Sequence, residues 1–232
     1  MYDNPFRAAF DLIISMDPTL VGIVVLSLQV SLTAVAVASL IALPLGAAIA
    51  LWSFPGRGAL IVLLNAFMGL PPVVAGLMVY LMLSRAGPLG SFGLLFTPTA
   101  MVIAQTVLVL PIIAALSRQV IEELWGEYRE QLRSLGVSRL RAIPTLIWDA
   151  RFSLTTVVLA GFGRASAEVG AVLIVGGNIA GVTRVMTTAI ALETNRGALP
   201  LALGLGIILL LLVASVNAVA FMIGETAKRR LG

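Results

Sequence analysis

Charged residues are sparse along this chain, and the apolar stretches between them predict its elements. Residues 18–56 carry no charge. At about 1.5 Å of rise per residue, a helix of that length far exceeds a bilayer core of roughly 30 Å. Two arrangements fit: one long helix bent near Pro44-Leu45-Gly46, or two spans joined by a tight turn. No polar turn interrupts Leu20–Leu43, so one long helix is expected. A second span is expected over Ala59–Leu83, with Gly69-Leu70-Pro71-Pro72 at its centre. Two prolines cannot donate backbone hydrogen bonds, so the helix should kink or break at mid-depth. Gly69, Pro71 and Pro72 are therefore kink or gate candidates. The third span covers Pro98–Leu116 and contains Pro111. A charged stretch, Arg118–Arg151, follows. The fourth span starts near Phe152 and carries Arg164 and Glu168, and the fifth covers Leu199–Gly224.

Composition strengthens this reading. The 232-residue chain is 59% hydrophobic and 11% charged, where a soluble domain carries about 25% charged residues. The surface that replaces water contact must be lipid. A net charge of +4 is compatible with nucleic-acid binding, yet the basic residues cluster in the connections between spans, where membrane orientation requires them. The sequence holds no cysteine and no histidine. That removes disulfides, nearly every transition-metal site and histidine acid–base catalysis, so no metal site and no catalytic residue is expected.

The fold class expected is all-α: a polytopic membrane protein of five transmembrane helices plus a short amphipathic N-terminal helix. Residues 1–17 form the interfacial segment, 18–225 the transmembrane domain and 226–232 a basic tail ending in Lys228-Arg229-Arg230. Asp3, Asp11 and Asp17 speak against an export signal, and Pro5–Met16 reads as the interfacial helix. Arg57, the 118–151 stretch and the tail fall on one side of the membrane, and Arg7, Arg85, Arg184 and Arg196 on the other. The richer side should be cytoplasmic, which puts the N-terminus outside and the C-terminus in the cytoplasm.

Within the charged stretch, Leu124, Tyr128, Leu132 and Leu135 recur at helical spacing. Gly136 suits a helix C-terminus, and Ser138 could cap a second short helix. A helix–Gly–helix element would form a compact knob. It reads either as a solvated loop whose arginines hold topology or as a contact for a cytoplasmic partner. Glu130, Arg133, Leu135, Gly136 and Ser138 resemble the "EAA" loop of ABC importer permeases, with Gln131 and Leu132 in place of its two alanines. Further on, Leu146 matches the loop's isoleucine, but Trp148-Asp149 replaces its Leu-Pro. The resemblance implies that this loop docks a separate ATPase subunit. Lys228 is the only lysine, and no phosphate-binding Gly-x4-Gly-Lys-Ser/Thr loop is present, so the chain itself is not the ATPase.

Arg164 and Glu168 lie four residues apart in an apolar span. Such charges pair or line water. They read either as an ion pair stapling the bundle or as a border of the translocation path. Beyond them, the glycine-dense run Val175–Arg184 predicts a close turn with exposed amides. Thr187–Thr194 reads as a short helix after it. This segment is either a plain surface connection or a contact for a substrate-delivering protein, with Gly176, Gly177, Asn178, Thr183 and Arg184 as candidates.

Gly163-Arg164-Ala165-x-Ala167-Glu168-Val169-Gly170-Ala171, the run Val175–Arg184, Thr187–Ile190 with Leu192–Thr194, Gly69–Pro72 and Leu95–Pro98 together resemble the molybdate/tungstate branch of these permeases, the tungstate type most. That resemblance implies a type I importer fold and a homodimeric permease in a bacterial or archaeal cytoplasmic membrane. It also implies a partner ATPase that binds ATP and magnesium, an extracytoplasmic tungstate-binding protein, and no cofactor in this chain. Other readings are a molybdate or other oxyanion permease of the same class, and a stand-alone secondary transporter. For the latter, Glu168 would be the only intramembrane carboxylate, and no inverted repeat is evident.

Overall fold

The computed structural model describes residues 4–231, with side chains through Glu225. Among these residues the fold is all-helical, without strands. Helix α1 (Pro5–Ile14) starts on an Asn4 cap, whose side-chain oxygen accepts from Phe6 N at 3.1 Å. Phe6, Phe10 and Ile14 recur every fourth residue and stay exposed while Ala9 is buried. That exposed apolar stripe suits an interfacial helix. Asp17 then caps α2 (Pro18–Leu51), accepting from Thr19 N and Leu20 N at 2.9 and 3.0 Å. One continuous helix thus takes up the charge-free stretch, with Pro44 inside it.

Helices α3 (Arg57–Met68) and α4 (Pro72–Leu83) bend by 103° across Gly69–Pro71, where the two prolines were expected to break the span. A 3-10 turn at Gly90–Phe92 leads to α5 (Pro98–Ser134). This helix contains the expected third span, Pro98–Leu116. It does not stop at Leu116 but runs 37 residues, through Arg118 and deep into the charged stretch. Charge alone does not end a helix, and Leu124, Tyr128 and Leu132 keep one face of it packed against a core. After Gly136 come α6 (Arg139–Asp149) and α7 (Arg151–Ser166), bent by 75°. Short α8 (Gly170–Gly176), then α9 (Met186–Arg196) and α10 (Leu199–Leu231) complete the chain. Helix α10 passes the expected end at Gly224, and the side chains of Lys228, Arg229 and Arg230 lie outside the described residues.

Helices α2, α5 and α10 are each long and apolar enough to cross a membrane, and the two bent pairs bring the count to five if each is one span. The fold divides into two compact units. One comprises Met1–Ala34, Pro71–Gln105 and Gly163–Ser215, the other Val35–Leu70, Thr106–Phe162 and Val216–Gly232. In the second, Ala47 and Leu51 of α2, Ile121 and Trp125 of α5, Leu146 of α6 and Leu154 of α7 share one buried cluster. Arg57 closes it, donating from Nε to Ile49 O at 2.8 Å and pairing with Glu122 at 2.7 Å; Arg118 reaches the other Glu122 oxygen. In the first unit, Leu20 and Ile23 of α2 pack with Met186 and Ala189 of α9 and Leu205 of α10.

Candidate functional site

The break between α7 and α8 gathers the polar groups of the first unit. The sequence suggested Arg164 and Glu168 on one face of a continuous helix. Instead α7 ends at Ser166, and Glu168 sits in the turn before α8. The pair still forms, with Arg164 Nη1 2.7 Å from Glu168 Oε2. The second carboxylate oxygen accepts from Ala171 N at 3.1 Å, at the start of α8, where a negative charge is favourable. Thr187 Oγ1 donates to the Glu168 backbone carbonyl at 2.6 Å. Glu168 is 3% exposed and the Arg164 side chain 34%, so the carboxylate is locked in while the guanidinium reaches the surface.

Around Glu168 lie Ser27, Ser31, Gln105, Ser166 and Thr187, lining a cavity of about 10 Å³. That is near the smallest volume that holds one water. Gln105 Nε2 donates to Ala165 O at 3.1 Å, whereas Gln105 Oε1 and Ser166 Oγ have no hydrogen-bond partner among the described residues. Ser27 Oγ donates to Ile23 O at 2.6 Å and accepts from Met186 N at 2.7 Å. Gln105 thus bonds across helices and Ser27 back to its own, but nothing local in the sequence signals their convergence on Glu168.

Two helices that each follow a break pack against one another here. Gly76 of α4 faces Ala171 of α8 so closely that a β-carbon on Gly76 would lie 2.6 Å from Ala171 Cα. A β-carbon on Gly170 would lie 2.8 Å from Val73 Cγ2.

The segment between α8 and α9 is more inward-turned than its glycines suggested. Gly177 and Asn178 do adopt positive φ, 70° and 51°. Thr183, however, is 1% exposed, because its hydroxyl donates to Gly176 O at 2.5 Å and accepts from Ile179 N at 3.0 Å. Gly176 is buried as well. Arg184 pairs with Glu193 at 3.5 Å, as does Arg196. Of the five candidates, Thr183 and Gly176 thus hold the turn from inside and Gly177 is exposed; Ile179 and Val182, not singled out from sequence, are exposed too.

In the second unit, α5 ends as Gly136 adopts φ 70°. Gly136 N bonds Arg133 O at 3.0 Å and Val137 N bonds Leu132 O at 2.9 Å, a glycine helix stop. Ser138 occupies the N-cap position of α6, but its side chain makes no capping bond, contrary to expectation. Leu135 also departs from the expected apolar face. Lying just past the helix end, it is 75% exposed, and Leu140 is 68% exposed. Glu130, Arg133, Gly136 and Ser138 are exposed too. On this knob the Asp149 carboxylate, with a smaller push from Glu127, holds the Tyr128 phenol above its ordinary pKa.

Three helices long and apolar enough to cross a bilayer, two bent pairs that can each make one more span, and a knob presenting bare leucines are the features of a polytopic membrane protein. No protein-family model matches the chain. It is 41% identical to the tungstate uptake system permease protein TupB of Peptoclostridium acidaminophilum, over 95% of this chain and 96% of the relative. A "Probable anion ABC transporter permease protein" of Haloferax volcanii is 39% identical over 92% and 94% of the two chains. TupB of Campylobacter jejuni is 39% identical over 71% and 69%. This chain belongs to the anion-type ABC transporter permease family. It is a multi-pass membrane protein, and subunits of this family are not themselves enzymes. An ATPase subunit and a substrate-binding protein are the partners that the family implies.

Proposed function

We propose that this chain is the permease subunit of an ATP-driven, type I oxyanion importer and that the oxyanion is tungstate. The observation that carries this reading is the 41% identity to a tungstate uptake permease over nearly the whole of both chains. Two copies form the pathway in a cytoplasmic membrane, with the N-terminus outside and the C-terminus inside. The ATPase partner supplies the ATP and magnesium sites. The bent joint at Gly69, Pro71 and Pro72 flexes as the pathway opens, and Gly177, Asn178 and Arg184 border the surface that receives the tungstate-binding protein. Arg164 and Glu168 border the pathway.

The ATPase docks on the knob around Gly136, through Leu135 and its neighbours Glu130, Arg133 and Ser138. A β-carbon at Gly136 would meet nothing within 4 Å, so the fold has room for a side chain there; the positive φ adds a strain of about 1–2 kcal/mol. Vesicles holding this chain, its ATPase and its binding protein should take up tungstate only with ATP. Gly136→Glu should reduce uptake to the level seen without ATP, whereas Gly136→Ala should retain most of it. Uptake that needs no ATP and ignores Gly136→Glu would mean a self-contained carrier. Molybdate competing better than tungstate would move the substrate assignment to the sister oxyanion.

Support for a homodimer comes from α4, which leaves Val74, Leu77, Met78 and Leu81 exposed along one face at helical spacing. Because the chain has no cysteine, a Leu77→Cys variant carries one thiol. A short bis-maleimide applied in membranes should convert most of it to a dimer band. A monomer band alone would place lipid, not a second copy, on that face.

A further inference from the structure

The elbow between α6 and α7 opens an apolar groove that the transport reading leaves unused. Its walls are Leu43 of α2, Pro144 and Ile147 of α6, and Leu154 and Val158 of α7, enclosing about 460 Å³. At its edge stand Arg151, the first residue of α7, and Trp148, whose side chain is largely bare at 71% exposure.

Arg151 differs from five other arginines among the described residues. Arg57, Arg118, Arg164, Arg184 and Arg196 each have a carboxylate partner. Arg151 has none among the described residues. Its guanidinium lies 5.1 Å from the Trp148 ring centroid and 4.6 Å from that of Phe152, and Nη1 donates to Trp148 O at 2.8 Å. Two rings and one carbonyl therefore hold the cation without neutralising it.

An unneutralised, pre-oriented guanidinium at the head of an apolar groove matches one chemistry in a membrane: a phosphate on an acyl chain. We propose that this groove binds one anionic phospholipid, with an acyl chain along Leu43, Leu154 and Val158 and the head-group phosphate on Arg151. A zwitterionic lipid offers the same chain, but its head-group ammonium offsets the attraction. Another protein surface would have to supply both an apolar ridge and a carboxylate at this one point. The exposed indole of Trp148 is an interfacial anchor, which places the head-group level beside Arg151.

Trp148 is also the reporter. In a Trp52→Phe/Trp125→Phe chain it is the sole tryptophan, and its fluorescence can be quenched by phospholipids brominated on the acyl chain. In reconstituted vesicles, brominated phosphatidylglycerol should quench about fivefold more effectively than brominated phosphatidylcholine at equal mole fraction, the preference expected of one basic residue. Arg151→Gln should erase that preference while leaving the phosphatidylcholine curve unchanged. Equal quenching by both lipids would overturn the proposal, leaving an ordinary lipid annulus. Quenching by neither would also overturn it, because protein would then cover the groove. Should the double phenylalanine chain fail to fold, native mass spectrometry of the otherwise unaltered chain decides. One retained phosphatidylglycerol, lost in Arg151→Gln, is expected, and no difference between the two proteins refutes the site.

Discussion

Arg164→Ala should lower the stability of the purified chain by about 3 kcal/mol, more than Glu168→Gln does, although both remove the same ion pair. The difference lies in what each substitution leaves behind. With Arg164 gone, a carboxylate that is 3% exposed keeps only the Ala171 N–H as a partner for its charge. With Glu168 converted to glutamine, the orphan is a guanidinium that is 34% exposed and can reach head groups or water. Glutamine also preserves the carbonyl oxygen that accepts from Ala171 N. Thermal unfolding in detergent reads the order directly, and the Arg164→Ala/Glu168→Gln double variant should recover at least half of the loss. If Glu168→Gln proved the more damaging, the carboxylate's place at the start of α8 would outweigh the pair, and Arg164 would be dispensable to the fold.

The second large effect is expected at Gly76. Alanine there puts a methyl carbon 2.6 Å from Ala171 Cα, a backbone atom that cannot swing aside. Overpacking of this kind costs about 1–3 kcal/mol, and here it also strains the joint between two helices that each follow a break. Gly126 is the control. It lies inside α5, and an added β-carbon would meet nothing within 4 Å. Helix propensity favours alanine over glycine at both positions by about 0.5–1 kcal/mol. Gly126→Ala should therefore raise the unfolding midpoint and Gly76→Ala should lower it sharply. A rise at both would mean that α4 and α8 are free to separate.

Much of this architecture was legible from the chain alone. A bilayer needs long apolar runs without charge, and Pro18–Leu51 forms one helix because no charge and no polar turn interrupts it. Two missing N–H groups at Pro71 and Pro72 broke the second span where they stand. Gly136 stopped α5 because its positive φ suits glycine best. These are local causes: apolar length, absent donors, permitted φ. The third span, Pro98–Leu116, lies within a longer helix, since a change from apolar to charged residues marks a change of solvent, not the end of a helix.

What surrounds the site was decided elsewhere. Gln105 meets Ala165 across 60 residues of chain, Arg57 meets Glu122 across 65, and Ser27 meets Met186 across 159. Thr183 turned inward because the Gly176 carbonyl was within reach of its hydroxyl, not because of any pattern around it. Arg151 reads in sequence as one more topology-setting arginine; only the elbow between α6 and α7 sets it over two rings with no carboxylate opposite. The sequence by itself thus determined that the chain spans a membrane, that it breaks at Pro71-Pro72 and that α5 stops at Gly136. Only the tertiary structure decided which charges are neutralised and which glycines are contacts, because those depend on pairings between residues far apart in sequence, and periodicity carries no information about them.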